Sequence, residues 1–161
     1  MNIRKMVLVA LFSSLAIGIY ALESLIPPII PLPGVKLGLS NIITLVAIYT
    51  LGKKEAFATL MIRIIVSSLL FGQTMSFFFS ITGGLLCFLS ISISSKFLDK
   101  SQIWASSLIG ALSHSLGQIL VAIIITGQVA VAYYFLIMEI SSIITGLFTG
   151  LCASYCVKRL Q

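Results

Sequence analysis

Three side chains able to carry charge or move a proton fall inside long apolar runs: Arg63, His114 and Glu139. Arginine presents a planar fork of donors suited to a carboxylate or phosphate. Histidine both donates and accepts, and Gln118, four residues on, shares its helix face. An ionised group at the centre of a bilayer costs at least ~2.5 kcal/mol, so each of these needs a partner or a polar cavity. At a rise of 1.5 Å per residue, Arg63 lies about 12 Å, Glu139 about 15 Å and His114 about 17 Å from the nearer end of its run. All three reach the middle of the membrane. One reading is a pocket built by Asn41, Arg63, His114, Gln118 and Glu139, with Glu23 and Lys36 at its mouth. It would hold a small ligand with an anionic or amide-rich part. The other reading is scaffolding: an Arg63–Glu139 ion pair fixing two helices, and hydrogen bonds from His114 and Gln118 to a neighbouring helix.

Catalytic equipment is sparse. Asp99 is the sole aspartate, so no paired-aspartate motif can hold Mg²⁺ and a diphosphate. No GxxxxGK[ST] phosphate loop is present. The one histidine is intramembrane and the one aspartate falls in a polar loop, which leaves no Ser/His/Asp set. Cys87, Cys152 and Cys156 lack the further ligands of a metal site and are expected to pack. The chain is therefore not expected to be an enzyme or to carry a cofactor.

These residues are set in a sequence of 161 residues, 59% hydrophobic and 9% charged, with mean hydropathy +1.18. That composition indicates an all-α integral membrane protein forming one domain over 1–161. Six apolar runs predict six membrane helices: 6–26, 37–51, 56–71, 75–95, 103–126 and 129–157. Arg4 and Lys5 before an apolar run resemble a signal peptide, but about 21 residues suffice to span, so the run is retained. Between the first two helices, Pro27, Pro28, Pro31 and Pro33 forbid a continuous helix. The stretch 27–41 is expected to form an ordered outer loop that dips into the bundle beside the short second helix. The cluster Phe77–Phe79 is expected to contact lipid or core. Gly146 and Gly150 have GxxxG spacing. Ala10, Ser14 and Gly18, four apart on the first helix, form a strip on which another helix can approach closely, inside the bundle or in a partner.

The net charge of +6 comes from cations scattered at helix ends, which does not suggest nucleic acid. In a six-helix arrangement, Arg4, Lys5, Lys53, Lys54, Lys96, Lys100, Lys158 and Arg159 fall on one side, and only Lys36 sits in a loop on the other. The positive-inside rule then puts both termini in the cytoplasm of a bacterial cell, with the protein in its cytoplasmic membrane.

The sequence resembles a family of small bacterial membrane proteins described as Gx transporters or as heptaprenyl diphosphate synthase component I. The resemblance rests on Glu23, the run Pro33-Gly34-Val35-Lys36-Leu37-Gly38-Leu39-Ser40-Asn41, Arg63, Gly83-Gly84, and Gly110-Ala111 with His114, Gly117 and Gln118. It covers nearly the whole chain, with Ser40 and Ser115 where Ala and Asn are expected. The family is also similar to the substrate-binding (S) components of energy-coupling factor (ECF) transporters. That similarity implies an outward-facing pocket closed by the first outer loop. It also implies docking of a transmembrane coupling protein on Ala10, Ser14 and Gly18, and a pair of ATPases for energy. The implied ligand is vitamin-like, flavin-like or an isoprenoid or quinone precursor. The competing implication is an accessory membrane subunit of a polyprenyl (heptaprenyl) diphosphate synthase, or of a quinone or flavin redox pathway.

Overall fold

The computed structural model describes residues 3–26, 36–71 and 74–160. The expected outer loop falls outside the described residues from Pro27 to Val35, as do Gly72 and Gln73 of the uncharged turn; Lys36 to Asn41 is described. The described residues form six α-helices: α1 (Ile3–Ser24), α2 (Asn41–Thr50), α3 (Lys53–Phe71), α4 (Thr74–Ser94), α5 (Ile103–Thr126) and α6 (Tyr134–Leu160), with single 3-10 turns before α5 and α6. Four stretches (Ile3–Ser24, Thr74–Ser94, Ile103–Thr126 and Val129–Leu160) are long and apolar enough to cross a membrane. The 10 residues of α2 are too few to do so alone, since a span needs about 20.

Short as it is, α2 packs on α1, α3, α4 and α6. It is also deeply apolar: Leu45, Val46, Ala47 and Ile48 are all buried. They join Ala56, Cys87, Ile91, Ile103, Ala153 and Val157 in one core cluster. A second cluster, toward the opposite end of α5, gathers Phe79, Ile119, Ala122, Val131 and Met138. Of the aromatic triplet, Phe79 is thus core while Phe78 is 47% exposed.

Glycine sets the closest helix crossings, because lipid offers no hydrophobic drive for helices to associate and tight backbone packing replaces it. A Cβ on Gly117 of α5 would lie 2.7 Å from the Gly83 Cα of α4. On α6, a Cβ on Gly146 would meet the Ala111 side chain at 2.8 Å, and one on Gly150 would meet the Trp104 Cα at 2.7 Å. The GxxxG spacing of α6 is therefore used inside the chain, against α5.

Helix α1 has the reverse arrangement. Its buried residues are Val9, Ser13, Ala16, Tyr20 and Glu23, a 4-3-4-3 spacing that keeps one stripe on the bundle. Ala10, Ser14 and Gly18 lie on the exposed side, and a Cβ on Gly18 would meet nothing within 4 Å.

Basic residues gather at one end. Lys5 at the start of α1 pairs with Glu55 at the start of α3 at 2.7 Å. This contact holds the Glu55 carboxyl below the ordinary carboxylate range. Lys53 donates to the Ser92 carbonyl near the end of α4 at 2.5 Å. The expected polar turn at 53–55 is thus the first turn of α3. The final helix starts later than expected, at Tyr134, because Val129–Tyr133 winds as a 3-10 turn. Cys87 is buried, whereas Cys156, expected to pack, is exposed.

Candidate functional site

The charged and amide side chains converge where residues 36–41 cross between α1, α3 and α5. Ser40 occupies the N-cap position of α2, but its hydroxyl makes no cap bond. It instead accepts a hydrogen bond from Arg63 Nη1. Arg63, 2% exposed, also donates from Nη2 to Asn41 Oδ1 at 3.1 Å. One arginine on α3 therefore fixes the start of α2 through two consecutive residues.

Asn41 passes the chain of contacts to α5. Its Oδ1 is taken by Arg63, so its amide nitrogen faces His114 Nδ1 at 3.2 Å. A neutral ring has one donor and one acceptor nitrogen. His114 Nε2 lies 3.0 Å from Gln118 Nε2, which also donates to the Lys36 carbonyl at 3.0 Å. The ring also bonds the Gly83 backbone, so His114 ties α5 to α4 as well as to Asn41.

Backbone geometry makes this convergence fit. Gly38 has φ +79°, in the left-handed region that glycine enters freely. A Cβ there would meet Asn41 Nδ2 and His114 Cδ2 at 3.0 Å. On the other side of His114, a Cβ on Gly83 would lie 2.8 Å from ring atoms Nδ1 and Cε1. The imidazole is held between two positions that tolerate no side chain.

Charge in this region is unevenly matched. Glu23, 4% exposed, accepts the Gly38 N–H at 2.5 Å through Oε1, while its Oε2 is buried without a hydrogen-bond partner. Lys36 Nζ sits 3.6 Å from the centroid of the Tyr20 ring and makes no hydrogen bond. Tyr20 is held by its hydroxyl contact with Ser76 at 2.7 Å. Arg63 Nε is likewise buried and unpartnered. Two cations face one carboxylate, and unused donors outnumber unused acceptors. Such a surface suits an anion.

Next to this row lies a small cavity bordered by Gly38, Asn41, His114, Cys87, Thr145 and Thr149. Its volume is about 20 Å³, enough for one water molecule, which needs ~10–15 Å³.

Of the residues singled out in the sequence, Glu23, Lys36, Asn41, Arg63, His114 and Gln118 come together. Glu23 is inside the cluster instead of at its mouth. Glu139 does not join. Its carboxyl accepts from Ser115 Oγ at 2.7 Å, and among the described residues the one ion pair within 4.0 Å is Lys5–Glu55. The Arg63–Glu139 pair of the scaffolding reading is not formed, because Glu139 packs along the Ser115 edge of α5 while Arg63 bonds Ser40 and Asn41; the carboxylate acting on Arg63 is Glu23. Sequence reasoning missed Tyr20 as a partner for Lys36 and Ser40 as an acceptor for Arg63. The 3-4 spacing of Ser13, Ala16, Tyr20 and Glu23 was the available sign that Tyr20 and Glu23 share a face.

No curated protein and no solved structure gives a significant match to the chain. A family model described as heptaprenyl diphosphate synthase component I matches residues 12–156, spanning α1 through α6, and the chain therefore belongs to that family.

Proposed function

We propose that the chain is a six-span, single-domain membrane protein acting as the substrate-binding component of an ECF-type transporter. The observation carrying this reading is the buried cluster at residues 36–41. It brings together Lys36 Nζ and Arg63 Nε without hydrogen-bond partners, and both belong to a group of charges with a surplus cation. A surplus buried charge in an apolar bundle is costly unless something anionic balances it. The ligand in this reading is a small molecule with an anionic head and an apolar body: vitamin-like, flavin-like or an isoprenoid or quinone precursor. The cavity beside His114, with room for one water, holds no such molecule, and residues 36–41 moving off α1 and α5 would enlarge it. The bonds that would break are Gly38 to Glu23 and Gln118 to Lys36.

The exposed strip Ala10, Ser14 and Gly18 supports the partner half of the reading. It is unused inside the chain, and small residues let a second helix approach closely. A transmembrane coupling protein and its two ATPases are the expected occupants. The shared end of Lys5, Lys53 and Arg159 faces the cytoplasm by the positive-inside rule, in a bacterial cytoplasmic membrane. The chain itself does no catalysis.

The family description favours a second reading, an accessory membrane subunit of a heptaprenyl diphosphate synthase. Native mass spectrometry of the protein gently extracted from its own membrane separates the two. A small acidic adduct on the wild type that is lost in Lys36→Met, with a coupling protein and ATPases co-purifying, is the expected result. A soluble prenyl synthase co-purifying, with no adduct on either form, overturns the transport reading.

A further inference from the structure

The Glu139 carboxylate is the one charge on the chain's interior spans that the central cluster does not use. It lies opposite Ser115, which is about 18 Å from the Ile103 end of α5 and about 16 Å from the Thr126 end by helix rise. That is mid-height on the bundle. Yet the residue is only partly buried. On its own helix, the neighbours one turn away split into two classes. Ser142 is buried at 9% exposure, whereas Leu136 and Ile143 are 69% and 42% exposed, with Ile140 beside them at 55%. Glu139 thus marks the edge where the packed face of α6 gives way to a broad apolar outer surface. Ser115 Oγ occupies one carboxyl oxygen, and no cation of the described residues lies within 4.0 Å.

We infer that the outer edge of α5 and α6 around Glu139 is a docking surface for a membrane-spanning helix of another protein that carries an arginine or lysine at mid-span. The argument is charge complementarity at a depth where alternatives fail. A second copy of this chain cannot supply the cation: its mid-height cations are Lys36 and Arg63, which face its own interior, and its remaining basic residues are at helix ends. Phospholipid ammonium groups sit at the headgroup level, roughly 15 Å from the bilayer centre. A basic residue on a partner span reaches the right depth, and its helix would cover Leu136, Ile140 and Ile143. The surface is separate from the exposed small-residue strip on α1, a helix whose opposite face packs on α2 and α3. It does not depend on the transport reading.

The test reconstitutes the full chain in phosphatidylcholine vesicles with one of two poly-leucine transmembrane peptides, bearing a central Arg or a central Gln. Association is read by energy transfer to a dye on Cys156, which is exposed, in a protein whose Cys152 and Cys87 are replaced by Ala. The Arg peptide should associate roughly 3-fold or more better than the Gln peptide, the range that interhelical polar contacts give in membranes. Glu139→Gln keeps an acceptor for Ser115 and should abolish that difference. Equal association of both peptides with the wild type overturns the proposal. So does a preference that persists in Glu139→Gln, or one erased by an equal mole fraction of octadecylamine, which would make the site one for amine lipids.

Discussion

Arg63 holds two consecutive residues at the start of α2 and shares its buried surroundings with Glu23. Removing it takes the donors from Ser40 and Asn41 and leaves Glu23 facing Lys36 alone. Arg63→Met should therefore destabilise the protein by about 3–5 kcal/mol in detergent unfolding, and combining it with Glu23→Gln should depart from additivity by about 0.5–3 kcal/mol. If the two changes are simply additive, the two charges are not coupled. Lys36→Met is expected to behave differently. The ammonium makes no hydrogen bond and lies over the Tyr20 ring, a face that a methionine thioether can also cover, so the apolar replacement should leave the fold intact and act on ligand retention alone. At position 83, a methyl group would press on the His114 ring at 2.8 Å from two of its atoms. Gly83→Ala should cost about 1–3 kcal/mol, measured as a lowered Tm. Most of the cluster was legible in the sequence, because Arg63, His114 and Gln118 stand out as polar residues in apolar runs. The Arg63–Glu139 pair stayed open as a reading because helix rise gives depth but not azimuth. Two residues at equal depth can face opposite sides of a bundle, and Glu23, expected at the mouth of the pocket, is the nearer carboxylate.

At the scale of helices, hydropathy marks all six α-helices, four stretches of which are long and apolar enough to cross a membrane. Helix α5 runs from Ile103 to Thr126 as expected, and Gly127, with φ +65°, ends it in a left-handed turn. Other ends were harder to read. Lys53, Lys54 and Glu55 look like a loop by charge, yet they wind as the first turn of α3, where Lys5 and the Ser92 carbonyl receive them. The stretch 37–40 is apolar enough to read as helix, but Gly38 and the demand of Arg63 on Ser40 delay α2 to Asn41. Small residues also split by role in a way that spacing alone could not foresee. Gly146 and Gly150 pack on α5, while Gly18 faces outward. Gly146→Leu should therefore disrupt the fold, whereas Gly18→Leu should leave unfolding unchanged and abolish co-purification of a coupling protein. Loss of stability in Gly18→Leu would show that the strip packs within the chain.

The molecule as a whole is polar at one end, apolar around its circumference and cationic in one buried spot. A cysteine placed at Lys158 should react with an impermeant thiol reagent only after bacterial cells are opened, which checks the orientation given by the basic end. The short α2 carries a further consequence for how the chain is made. Ten residues of helix reach about 15 Å, half of a bilayer core, and its first turn is tied by Arg63 from the helix that follows it in sequence. During synthesis, residues 41–50 would emerge before the arginine that secures them. Lateral release of this segment into lipid, one span at a time, would leave backbone polar groups bare in hydrocarbon. Biogenesis must instead hold α1 and α2 at the insertion machinery until α3 arrives, so that the three enter the bilayer as one unit.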